Sequence, residues 1–117
     1  MSRILGIIAA VILILSSAAH SLMGWKALAA QLAQANAPAD LIGGLRIGWH
    51  FGGACMLTLG IIVLTIFIRR MPAMPAFATG VLYVVFGAWA LAVSDFNPFF
   101  AIFIVPGVLL LIAAWRR

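Results

Sequence analysis

Four apolar runs, residues 4–23, 41–68, 76–93 and 99–115, take up most of a 117-residue chain. A bilayer core of about 30 Å needs roughly 20 helical residues to cross it, and each run is close to that length. The second is shortened near its start by Arg46. No run alternates polar and apolar residues as a barrel strand does, and a helix satisfies its own backbone in lipid. The sequence therefore predicts an all-α integral membrane four-helix bundle. It is read as a single domain, residues 1–117, with short connections.

Hydrophobic residues make up 67% of the chain and charged residues 8%, with mean hydropathy +1.26. A soluble domain carries about a quarter of its residues as charges, so the expected surroundings are a lipid bilayer. The net charge of +5 invites a nucleic-acid partner. The basic residues are neither clustered nor arrayed along one face, which excludes that class. They flank the spans instead. Arg3, Arg69, Arg70, Arg116 and Arg117 fall on one side, whereas Lys26 and Arg46 share the other with Asp40 and Asp95. This bias predicts both termini in the cytoplasm (N-in/C-in) and a multi-pass protein of the plasma membrane, and it argues against dual topology. The basic, then apolar N-terminus resembles a secretion signal, but its apolar run reaches Met23 and reads as a permanent span. Cys55 is the one cysteine, so neither an internal disulfide nor a CxxC pair exists.

The first connection is rich in alanine and carries Leu28 and Leu32 one helical turn apart. It is expected to prolong helix 1 or to lie along the interface. Asn36 and Pro38 end it, and Asp40 is placed to cap helix 2. Pro75 restarts the chain as helix 3, and Asn97 caps helix 4 with Pro98 in its first turn. Pro106 removes a donor within helix 4 and predicts a bend there.

Helix 2 carries two unusual faces. Gly44, Gly48 and Gly52 recur every four residues, the spacing that lets helix backbones approach closely in lipid. A tight contact is expected there, either within the bundle or between copies. Arg46 and His50 lie nearly opposite on the same helix. A helix buried on both faces predicts a homo-oligomer or a subunit of a larger membrane complex.

Depth separates these polar residues. Counted from Arg69, Arg46 lies about 34 Å up and His50 about 28 Å up. Arg46 reaches the headgroups, and Trp25, Trp49 and Trp115 fall where aromatic belts form. His20 lies about 26 Å above Arg3 on helix 1, level with His50, on a stripe containing Ser16, Ser17, Ser21 and Gly24. Asp95, in the connection between helices 3 and 4, is placed to approach Arg46 or a protonated imidazole. The candidate ligand-binding residues are therefore His20, His50, Arg46, Ser17, Trp49 and Asp95.

Three roles compete for this cluster: packing glue, a site for a small solute, ion or lipid-like molecule, and a metal or haem b held by His20 and His50. Catalysis has little support, because no carboxylate pair, phosphate loop or nucleophile–base spacing is present. Helix 1 has no acid, whereas a proton-coupled exporter carries an intramembrane carboxylate. The leading expectation is a non-enzymatic membrane component with a polar pocket in the outer leaflet, or a small subunit of a membrane complex. A bis-histidine electron carrier is the alternative.

Overall fold

The computed structural model describes residues 1–116; Arg117, counted above among the orienting arginines, lies outside the described residues. Helix α1 (Ser2–Ala19) runs through a wide π turn (His20–Gly24) directly into α2 (Trp25–Gln34). Helices α3 (Ala39–Arg69) and α4 (Met74–Val93) follow, then a 3₁₀ turn (Pro98–Phe100) leading into α5 (Ala101–Trp115). Four helical stretches among the described residues are long and apolar enough to cross a membrane: Ser2–Gln34, Ala39–Arg69, Met74–Val93 and Pro98–Trp115. The protein is an all-α, multi-pass membrane protein.

The alanine-rich first connection continues helix 1, because nothing in residues 25–34 breaks a helix. It stops where Asn36 takes a left-handed conformation (φ 51°). Pro38 precedes α3, and Asp40 lies inside its first turn without capping it; the carboxylate there faces the positive end of the helix dipole. Asn97 does cap, since its side chain accepts from the Phe99 N–H with Pro98 next in line.

Two hairpins result. In the first, α1 and α3 pack antiparallel along seams of small and apolar residues spaced three, four or seven apart. On α1 the seam runs Gly6, Ala10, Leu13, Ser17, and on α3 it runs Gly53, Gly60, Val63, Phe67, all of them buried. This period keeps one stripe of each helix facing its partner. Phe67 fills the space that Gly6 leaves, and a Cβ on Gly60 would stand 2.8 Å from Ile14 Cγ1 and 3.2 Å from its backbone nitrogen. In the second hairpin, α4 offers Ala76, Gly80, Tyr83, Gly87 and Ala90 to α5. Gly80 and Gly107 bring the two backbones together, since a Cβ on either would lie 3.0 Å from the other's carbonyl oxygen. Pro106 is buried at this crossing, so the proline–glycine pair serves close packing.

The hairpins join through α1 and α5, where Ala9, Ala10 and Leu13 share a core with Leu110 and Ala113. By contrast, α3 barely touches α4 although the two are consecutive. The bundle is closed on its α1–α5 side and open along α3–α4. Its outer surface is apolar, with Ile47, Phe51, Val85 and Trp89 all prominently exposed.

Candidate functional site between the hairpins

At the end away from Arg3 and Arg69, α1 is fastened to α3 by a reciprocal pair. The Trp49 indole Nε1–H donates to the His20 carbonyl at 2.7 Å. His20 Nε2 lies 3.1 Å from the Trp49 carbonyl, which only accepts, so Nε2 carries the proton. The two rings stack face to face, centroids 4.4 Å apart and planes within 2°.

The backbone makes this possible on both sides. The π turn begins at His20, whose carbonyl also accepts the N–H of Trp25 five residues on; the widened turn leaves that oxygen open to the indole. On α3, Gly53 lacks a side chain, which bares its carbonyl to the Ser17 hydroxyl at 2.8 Å. A Cβ at Gly53 would collide with Ser21. Each helix carbonyl has a second lone pair after its own ladder bond. Ser17 and His20 use those spare pairs and so satisfy themselves inside an apolar bundle.

His50, the next residue on α3, packs its ring against Trp25 at 5.9 Å and 51°. The two histidines are therefore level, but each is engaged by a different tryptophan. Trp25 and Trp49 are half-buried partners of the histidines, whereas Trp115 is 84% exposed. Nε2 is the nitrogen that most often binds haem iron, and His20 spends it on Trp49. Axial ligation by His20 would require that bond and the stack to be given up.

Arg46 and Asp95 are both exposed, and no ion pair joins them among the described residues. Asp95 sits in a turn where both it (φ 51°) and Phe96 (φ 58°) are left-handed. Of the six candidate binding residues, the fold brings His20, Ser17, Trp49 and His50 together and leaves Arg46 and Asp95 outside. Gly44 and Gly48 meet nothing within 4 Å of an added Cβ, whereas Gly52 faces His20 Nε2 at 3.6 Å. The tight contact expected from the four-residue glycine ladder is made within the bundle by Gly53 and Gly60.

Beneath His20 lies a cleft of about 300 Å³ between the hairpins. Gly52, Cys55, Met56 and Leu59 of α3 form one wall; Leu82, Tyr83 and Phe86 of α4, with Phe103 of α5, form the other. The cleft exists because α3 and α4 do not close on each other, so its open edge faces the bundle's apolar surroundings. Cys55 is exposed at that edge.

No protein-family model, curated protein or solved structure matches this chain. Its function has to be argued from the cleft itself.

Tyr83 is the feature that sequence reasoning passed over. It is the one tyrosine of the chain and is 6% exposed. Its hydroxyl is buried without a hydrogen-bond partner. Such a group costs about 1–3 kcal/mol relative to a satisfied one, and buried tyrosines ordinarily find a partner. The available signal was position: a lone phenol near the middle of the third apolar run, about 13 Å from that helix's start and far from either interface belt.

Proposed function

We propose that this protein is a non-enzymatic, membrane-embedded binding protein whose inter-hairpin cleft holds a lipid-like ligand. The observation that carries this reading is the apolar cleft left open between α3 and α4, with Tyr83, whose hydroxyl is buried without a partner, in its wall. Largely apolar pockets with one or two convergent polar groups are the usual form of small-molecule sites. The cleft offers the edge of one imidazole on otherwise apolar walls, a set suited to holding a ligand.

In this reading the arginine-rich end lies in the cytoplasm, which puts both termini on the cytoplasmic side of the plasma membrane and the His20–Trp49 clamp near the outer surface. The exposed Gly44–Gly48 face of α3 remains free for a second copy, and a homo-oligomer is the arrangement it favours.

The test is native mass spectrometry of the protein released from its own membrane, compared with Cys55→Trp, which places bulk at the cleft's open edge. A small-molecule adduct on the wild-type chain that is lost from C55W supports the reading. An adduct-free wild-type spectrum, or an adduct equally retained by C55W, counts against it.

A further inference from the structure

We infer that the second hairpin carries a separate lipid site at the arginine-rich end of the bundle: a groove along α4 and α5 that seats an acyl chain of an anionic glycerophospholipid and places its phosphate on Arg116. This site is independent of the cleft beneath His20, since the two hollows share no lining residue.

The groove follows from how the two helices pack. Their backbones meet at Gly80 and Gly107, and the hollow lies beside that contact, between the first turns of α4 and the last turns of α5. Phe77 and Val81 line it from α4; Leu111, Ile112, Trp115 and Arg116 line it from α5. On both helices these residues recur four apart, so each set makes one stripe. Leu111 forms the floor, because a Cβ placed on Gly80 would stand 3.1 Å from its Cδ2. Phe77, Val81 and Ile112 are exposed, so the groove opens sideways. Around a membrane-spanning hairpin that opening meets acyl chains.

Depth matches one end of a lipid. Val81 is seven residues into α4, about 10 Å from the helix start at 1.5 Å per residue. The groove therefore covers only the outermost part of the span, where glycerol backbones give way to hydrocarbon. The exposed indole of Trp115 lies at its mouth, at the level where tryptophans meet headgroups.

Charge selects the head. Arg116 is the one charged residue lining the groove, and Arg3, Arg69 and Arg70 share its end of the bundle. The chain has two acidic residues. Both lie at the opposite end, Asp40 in the first turn of α3 and Asp95 in the connection after α4. No acidic side chain competes for Arg116, and the field at this end has a single sign. A guanidinium takes a phosphate through two parallel N–H···O bonds. A zwitterionic lipid brings that phosphate with its own cation beside it, whereas an anionic lipid leaves a net charge for the arginines. The occupant is the anionic one.

Native mass spectrometry of the full-length protein in detergent counts bound lipids one at a time. The protein is titrated with dioleoylphosphatidylglycerol and with dioleoylphosphatidylcholine, which share chains and phosphate and differ in net charge. The first phosphatidylglycerol is expected to bind about tenfold tighter than the first phosphatidylcholine. Arg116→Gln weakens it by about fivefold, the worth of one arginine at an anionic head. Arg3→Gln, which removes the same charge outside the groove, weakens it by less than about twofold because that charge is screened. Val81→Trp and Ile112→Trp each fill the groove from an exposed position and abolish the preference. A phospholipid adduct lost from these two variants and kept by Cys55→Trp belongs to this groove and not to the cleft. Equal binding of the two lipids overturns the charge selection. Equal weakening by Arg116→Gln and Arg3→Gln replaces the site with a diffuse field, and unchanged binding by both tryptophan variants removes the chain from the groove. Displacement of the lipid by sn-glycerol 3-phosphate overturns the lipid assignment in favour of a soluble phosphate ester.

Discussion

His20 and Trp49 each give a ring N–H to the other's backbone carbonyl, at 3.1 and 2.7 Å, while their rings lie parallel 4.4 Å apart. The pairing joins the π turn of the first membrane helix to the upper part of α3. It does so directly above the cleft that separates the two hairpins, so one contact both fixes the first hairpin and forms the roof of the candidate site. In lipid such polar contacts hold helices together where hydrophobic burial contributes nothing.

The clamp is cooperative by construction, and a double-mutant cycle reads this directly. Trp49→Phe removes the indole donor, and His20→Ala removes the imidazole and the stack. Each single change is expected to lower the free energy of unfolding in mixed micelles by about 1–2 kcal/mol, and the double change to cost less than their sum. Strict additivity would mean that the two side chains act independently.

The glycines of α3 divide into two classes. Gly60→Ala drives a methyl against Ile14 and is expected to destabilise the fold by about 1–3 kcal/mol. Gly53→Ala meets the Ser21 side chain, which can rotate away, so its cost is smaller. Gly44→Ala and Gly48→Ala point into open space and are expected to leave the fold unchanged or to stabilise it by up to about 1 kcal/mol through helix propensity. If Gly44→Ala lowers disulfide crosslinking through Gly48→Cys in membranes, the exposed ladder is a contact between copies. Unchanged crosslinking assigns no such role.

Orientation is tested in whole cells with the native cysteine replaced by Cys55→Ser. Asn36→Cys lies in the turn between α2 and α3, and Ala73→Cys lies in the turn before α4. A membrane-impermeant maleimide is expected to label N36C in intact cells and A73C only after permeabilisation. The reverse pattern would place the arginine-rich end outside.

Hydropathy made the spans legible, because the length of an apolar run and the thickness of a bilayer are linked by the helix rise alone. The junction of α1 and α2 was legible only in part. Alanines predicted a continued helix, but nothing local distinguishes a π turn at His20 from an ordinary one. The packing seam was harder. Gly44, Gly48 and Gly52 form the more conspicuous pattern, yet the fold uses Gly53 and Gly60, seven apart and in phase with Val63 and Phe67. A seam of this kind is defined by its partner helix, and one helix wheel does not contain the partner. The polar cluster was found from the equal depth of His20 and His50. The cleft was not, because apart from His20 its walls are apolar or aromatic residues from three helices, and Tyr83 reads along the sequence as another aromatic of a span.

The claim on which the functional reading stands is that the Tyr83 hydroxyl has no partner of its own in the ligand-free fold. Tyr83→Phe removes that oxygen and little else, and the difference in unfolding free energy between the variant and the delipidated wild type measures its worth. The expected result is a variant as stable as wild type or more stable, by about 1 kcal/mol, because an unsatisfied buried group is lost. A variant less stable by a similar amount would show that the hydroxyl is already hydrogen-bonded within the protein, which contradicts the proposed site.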